Sequence, residues 1–149
     1  MEKEELIRRI IECDFRKHKL NLLKELGLCG ALEMRVLREV SSNGGELSIS
    51  VLTDGLQISR PNLSRTLKNM EEAGKIVRKA DKRDRRNTIV CITENGSNCL
   101  EGATEKLREF FYNALDRISS EELTRYYNVS ETIYAAYLAE LAEYKRNKN

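Results

Sequence analysis

The chain has 149 residues, with 26 Lys or Arg against 24 Asp or Glu and a net charge of +2. One domain is the expectation at this length, and 40% hydrophobic residues suffice for a core. With 34% charged residues, a single Pro and no Trp, the composition favours a mostly helical protein, and no run approaches the ~18 apolar residues of a membrane span. The opening MEKEELIRR mixes both charges without an apolar segment behind it, so it does not read as a signal peptide. A cytoplasmic location with all four cysteines reduced is therefore expected.

In chain order, residues 2–26 read as one long helix. Leu6, Ile10 and Cys13 form one stripe, and Ile7, Ile11, Phe15, His18, Leu22 and Leu26 form another beside it. The combined face is wider than a lone surface helix needs. Gly27 stops this helix. A second helix is expected over about 31–42, with Gly30 as its N-cap and Leu32, Val36, Leu37 and Val40 inward. Asn43-Gly44-Gly45 is a break. Ser48 or Ser50 then caps a short helix to about Gln57, with Val51, Leu52 and Leu56 inward and Asp54-Gly55 near its end.

Residues 59–73 predict the next helix. Ser59 is placed to cap it, and Pro61 falls in the first turn, where a missing N–H does no harm. Leu63, Leu67 and Met70 share one face, while Pro61, Asn62, Arg65, Lys68 and Asn69 fall opposite. Gly74 is the expected C′ residue. Ile76 and Val77 begin a strand, 88–92 is a β-branched run that answers it, and RKADKRDRRN between them is a charged hairpin tip. Thr93 caps a long helix over about 94–118, with Leu100, Leu107, Phe111, Ala114 or Leu115, and Ile118 along one side and Gly102 available for a kink or close packing. Ser119-Ser120-Glu121-Glu122 reads as a capping box. Beyond it Leu123, Tyr126, Ser130, Ile133, Tyr137, Leu141 and Tyr144 recur at helical steps.

Between Ser59 and Val90 there are ten Lys or Arg and four Asp or Glu, so the stretch carries +6 while the remainder of the chain carries −4. Positive charge is thus concentrated in one capped helix and the hairpin after it. That is the electrostatic footprint of a nucleic-acid binder, and the order helix, helix, hairpin is that of a winged helix-turn-helix. Arg60, Asn62, Ser64, Arg65 and Lys68 are the candidates for base edges or phosphates, with Arg65 able to fork onto a guanine. Ser48 and Ser50, at a helix N-terminus, are candidates for a phosphate.

At these residues the sequence resembles the MarR family of transcriptional regulators. The nearest likeness is DRRNTIVCITENG, Asp84 to Gly96, where an Asp-x-Arg precedes an alternating strand and a Thr-x-x-Gly close. SRPNLSRTLKNMEEAGKIVRK resembles the family's recognition helix and first wing strand, and the likeness extends more loosely over nearly the whole chain. The resemblance implies a recognition-helix set of Ser59, Arg60, Pro61, Asn62, Ser64, Arg65 and Lys68, and a wing set of Arg83, Asp84, Arg85 and Arg86. It further implies that Arg86 enters a minor groove with Asp84 holding it. Gly30 departs from the pattern, which often has Thr there.

The expectation is therefore a mostly α winged helix-turn-helix with a small β-hairpin wing, one domain over 1–149. Residues 31–96 form the DNA-binding lobe, and 1–30 and 97–149 are helices whose excess apolar faces pair two copies into a homodimer. A dimer calls for a roughly palindromic double-stranded operator. The family likeness adds repression relieved by a small aromatic or phenolic effector, for which Tyr126, Tyr127, Tyr134 and Tyr137 are candidate lining residues. No catalytic set is present, and no cofactor or metal is expected. The single His18 lies on an apolar stripe, and Cys13, Cys29, Cys91 and Cys99 lack paired spacing for zinc. Two alternatives stand: a thiol sensor using Cys13, and a sequence-tolerant architectural DNA binder. Glu12 and Asp14 beside Cys13 disfavour its thiolate, while Arg16 and Lys17 one turn on favour it.

Overall fold

The computed structural model describes residues 3–81 and 87–148, excepting the side chains of Phe15, His18 and Lys19. The element order is α1 (Lys3–Lys19), α2 (Leu22–Glu25), α3 (Ala31–Ser42), β1 (Glu46–Ser48), α4 (Ile49–Leu56), α5 (Arg60–Glu72), β2 (Ile76–Ala80), β3 (Thr88–Ile92), α6 (Glu94–Leu115) and α7 (Ser120–Arg146). The chain divides into two compact units, 1–106 and 107–149.

The core of the first unit is assembled from one face of each element of the winged helix. Val36, Leu37 and Val40 of α3, Leu52 and Leu56 of α4, Leu63, Leu67 and Met70 of α5, Ile76 of β2 and Val90 of β3 form one buried cluster. Periodicity alone predicts most of these, because three- and four-residue steps stack side chains on one helix face. Val51 is the exception. It is half exposed, because the buried face of α4 is the narrow one set by Leu52 and Leu56, and Val51 lies a sixth of the circle or more to its side. Cys99 and Leu100 of α6 pack against the same cluster, so the lobe extends past the wing into that helix.

The hairpin is joined by a third strand that the sequence does not advertise. The sheet order is β1-β3-β2, all antiparallel. Leu47, Val90 and Arg78 lie opposite one another, as do Glu46, Cys91 and Val77. Opposed residues share a face. Leu47, Val90 and Ile76 therefore face the core, and Glu46, Cys91 and Val77 face away from it.

The N-terminal helix is not continuous. α1 ends at Lys19 and a single turn, α2, follows from Leu22, with Asn21 between them outside helical geometry. Asn is among the poorer helix formers, in keeping with a break there. Gly27, at φ +65°, then ends α2 as expected. At the other end α6 stops at Leu115, three residues short of Ile118. Ser119 must be extended (φ −63°, ψ 148°) to cap α7, so the chain leaves the helix before it. The capping box is complete: Glu122 N–H donates to Ser119 Oγ at 3.3 Å, and Ser119 N–H donates to Glu122 Oε2 at 3.3 Å. Gly102 has open space around its Cα and serves no close packing.

Gln57 is the only non-glycine residue with positive φ among the described residues, at φ 52°, ψ 46°. It occupies the left-handed turn between α4 and α5, where its N–H bonds Asp54 O at 3.3 Å and Ile58 N–H bonds Thr53 O at 3.4 Å. An L-residue there costs about 1–2 kcal/mol. Gln57→Gly is expected to stabilise the protein by about 0.5–1 kcal/mol in urea denaturation. A loss instead would show that the Gln57 side chain compensates its own backbone.

Candidate nucleic-acid interface

The helix-turn-helix is built from α4 and α5, and each is held at its ends. Ser48 is the N-cap of α4, its Oγ accepting Val51 N–H at 3.3 Å and lying 3.0 Å from Ser50 Oγ. The two serines proposed as phosphate contacts are thus adjacent at one helix N-terminus. At the other end Arg35 of α3 donates from Nη2 to Leu56 O at 2.8 Å, satisfying a terminal carbonyl of α4.

α5 presents the expected two faces. Leu63, Leu67 and Met70 are fully buried, and Ser59, Arg60, Pro61, Asn62, Ser64, Arg65 and Lys68 are all exposed. Ser59 is extended at the N-cap position, but its side chain makes no capping bond. Two of the cationic groups are held along the helix. Arg65 Nη2 donates to Asn62 Oδ1 at 3.1 Å, and Lys68 Nζ lies 3.8 Å from Glu72 Oε1. Gly74 closes the helix at φ +68°, with Gly74 N–H on Glu71 O and Lys75 N–H on Met70 O, both 2.9 Å. This is a Schellman end, and it turns the chain directly into β2.

The recognition helix and the wing are clasped by a pair absent from the sequence reading. The strand register places Arg78 opposite Val90, on the core-facing side of the sheet, so its side chain emerges over α5. There Arg78 donates from Nε to Glu71 Oε2 at 2.9 Å and from Nη2 to the same oxygen, while Arg78 N–H reaches Glu71 Oε1 at 3.2 Å. The spacing of seven across a Gly turn, carboxylate before and cation after, is a signal that could have found it. The hydrogen bond from Arg78 holds the Glu71 carboxyl below its ordinary value of 4.5. A carboxyl that titrates lower when folded stabilises fully above its unfolded value, and that stability is lost as pH falls through the folded one. Glu71→Gln is therefore expected to flatten the decline of stability below about pH 4.5. An unchanged acid limb in pH-dependent melting would remove the clasp as a contributor.

The far face of the sheet carries Lys79 on Glu46, Nζ to Oε2 at 2.5 Å, with Cys91 Sγ 3.8 Å from the same carboxylate oxygen. The wing-tip residues Arg83, Asp84, Arg85 and Arg86 lie outside the described residues. Cys13 is half-buried on α1, and the His18 side chain is outside the description. No group of three or more His, Cys, Asp or Glu suited to a metal ion occurs among the described residues. No described helix is long and apolar enough to cross a membrane.

A helix-turn-helix whose second helix leads through a tight turn into an antiparallel hairpin defines a winged helix-turn-helix protein. Residues 21–87 match the model of the MarR family. The YfiV protein of Bacillus subtilis (strain 168), described as an uncharacterized HTH-type transcriptional regulator, is 30% identical over 90 residues, covering 60% of this chain and 56% of that protein. The YusO protein from Bacillus subtilis has a similar structure, with TM-score 0.74 at 17% identity over 91% of this chain and 99% of that one. A mutant of MarR from E. coli, complexed with operator DNA, aligns with TM-score 0.65 at 17% identity, over 85% of this chain and 92% of that one. This chain is thus similar to the MarR family over residues 21–87. It spans about half the length of the curated relatives it matches.

Proposed function

We propose that this chain is a DNA-binding transcriptional regulator, not an enzyme, that works as a homodimer on roughly palindromic double-stranded DNA. The observation that carries this reading is α5: a helix anchored by three buried apolar residues whose opposite face offers Arg60, Asn62, Ser64, Arg65 and Lys68 to solvent. Such a face enters a major groove, with some groups reading base edges and others holding phosphates. Ser48 and Ser50 are proposed as phosphate contacts and 83–86 as the wing contacts. The structural likeness to a relative crystallised with operator DNA supports the same docking. A protein that binds the chromosome belongs in the cytoplasm.

In this proposal 31–96 reads DNA, and 1–30 and 97–149 pair the two copies. Support comes from apolar side chains left exposed on those helices: Leu6, Ile7 and Ile11 on α1, and Phe111, Leu115, Tyr137 and Leu141 on α6 and α7. Large exposed apolar faces of this kind call for a partner surface. A dimer seated on a promoter excludes other proteins from it, so repression is the proposed sign. The proposed effector is a small aromatic or phenolic molecule. A cleft of about 500 Å³ between the end of α6 and the start of α7, lined by Phe111, Tyr112, Leu115, Ile118 and Leu123, has the size and character for one.

The test is selection of bound duplexes from a random pool, followed by sedimentation and a promoter reporter. Twice the monomer mass of 17.2 kDa is expected at micromolar concentration, with half-sites ~10 base pairs apart or a multiple of that. A monomer, or a pool that stays random while binding depends steeply on salt, would replace this reading with a sequence-tolerant binder.

A further inference from the structure

The cations of the recognition helix and the strand after it are held in two different ways. Lys68 Nζ lies 3.8 Å from Glu72 Oε1, Lys75 Nζ 2.9 Å from Glu33 Oε2 and Lys79 Nζ 2.5 Å from Glu46 Oε2, and Arg78 is bonded to Glu71. Each of these charges faces a carboxylate that offsets it. Among the described residues of 59–81, Arg65 alone is held by a neutral side chain: its Nη2 donates to Asn62 Oδ1 at 3.1 Å. Arg65 is thus fixed in direction and keeps its whole charge. Both side chains are exposed, opposite the buried Leu63, Leu67 and Met70.

We propose that Asn62 is a positioning residue that aims Arg65 at a guanine, so that the pair decides one G·C base pair of the site. This rests on the reading of α5 as the helix that enters the major groove. A guanidinium carries five N–H donors in a planar fork geometry, and Nη2 contributes one hydrogen to each of two edges. Asn62 takes one of those hydrogens. Whichever it takes, the other edge keeps its complete pair of parallel donors. That pair matches O6 and N7, the two acceptors guanine shows in the major groove. Adenine shows N7 beside an N6 amino group there, which sets donor against donor.

The direction of the Asn62 amide follows from the same chemistry. Arg65 only donates, so Asn62 turns Oδ1 toward it. Holding the guanidinium matters because a free, exposed Arg samples many rotamers and loses that freedom on docking. The bond to Asn62 removes part of that loss before DNA arrives. Lys68 cannot take the same role, because its ammonium is a compact charge with no fork and Glu72 offsets it.

The test is anisotropy titration of the full chain with the duplex selected from the random pool and with copies of it changed one base pair at a time. Wild type should prefer guanine to adenine at one pair by about tenfold or more. Arg65→Ala should abolish the preference at that pair. Asn62→Ala should reduce it about fivefold, the worth of one hydrogen bond, and the double variant should lose no more than Arg65→Ala does. Asn62→Asp keeps the acceptor, so it should hold the guanine preference while weakening every duplex, because the new charge repels phosphate. A helix that was merely loosened would lose affinity at all pairs alike. If Asn62→Ala leaves the guanine preference intact or relaxes a different pair, or if Asn62→Asp loses the preference as fully as Asn62→Ala, the proposal is overturned while the DNA reading of α5 stands. A pool that stays random overturns both.

Discussion

Gly96→Ala is expected to cost about 3 kcal/mol or more of folding stability, the largest effect of a methyl added at any of the eight glycines. A Cβ at Gly96 would lie 2.0 Å from the Lys75 carbonyl oxygen and 2.9 Å from Ile92 Cγ1. The first contact is with backbone, which cannot rotate away as a side chain does. Nor can α6 retreat easily, because its first turn is tied to the end of α5. Thr93 Oγ1 donates to Gly74 O at 2.7 Å and accepts Gly96 N–H at 3.0 Å, and Asn95 Nδ2 donates to Ala73 O at 3.1 Å. Gly102→Ala in the same helix is the control. Its added methyl meets nothing within 4 Å, so the better helix former should gain about 0.5–1 kcal/mol. Urea denaturation of both variants measures the contrast. Similar small effects at the two positions would show that α6 shifts to make room.

The second large effect is expected at Arg65 and bears on the proposed DNA reading. Arg65→Ala should reduce discrimination between the selected site and random duplex by about 1–3 kcal/mol, the worth of one bidentate base contact. The guanidinium is exposed, and its intrahelical partner, Asn62 Oδ1 at 3.1 Å, orients it without covering it. Stability should stay within about 0.5 kcal/mol of wild type, because no buried group is altered. Lys68→Ala provides the comparison. A lone ammonium that touches phosphate should weaken both duplexes alike and lower the salt slope by about one ion. Anisotropy titrations across a salt series separate the two behaviours, and an equal loss on both duplexes for Arg65→Ala would reassign it to phosphate.

The parts of this protein that were legible in the sequence are those fixed by local physics. Leu63, Leu67 and Met70 had to share a face whatever surrounded them, which left Asn62, Arg65 and Lys68 outward. Gly30 and the Asn43-Gly44-Gly45 break bracketed α3 over Ala31–Ser42. Thr88–Ile92 was a strand by β-branching, and Ser119 with Glu122 formed a capping box from two side chains three residues apart. Each rests on groups within about one or two turns of each other, so chain order and spacing decide the outcome.

What only the tertiary structure decided involves groups brought together from far apart. Glu46–Ser48 is a strand because β3 offers it an open edge; three residues have no pattern of their own. Asn21 breaks the first helix, where two apolar stripes argued for continuity, because stripes report burial and not backbone geometry. Glu71 and Arg78 meet only after Gly74 folds β2 back along α5, and the register decides that Arg78 points to the helix. Glu33 and Lys75 pair at 2.9 Å only because packing brings the start of β2 to the start of α3. Sequence periodicity specifies which side of an element is apolar; which elements share a buried polar contact is set by long-range packing, where a one-residue change of register would exchange every partner.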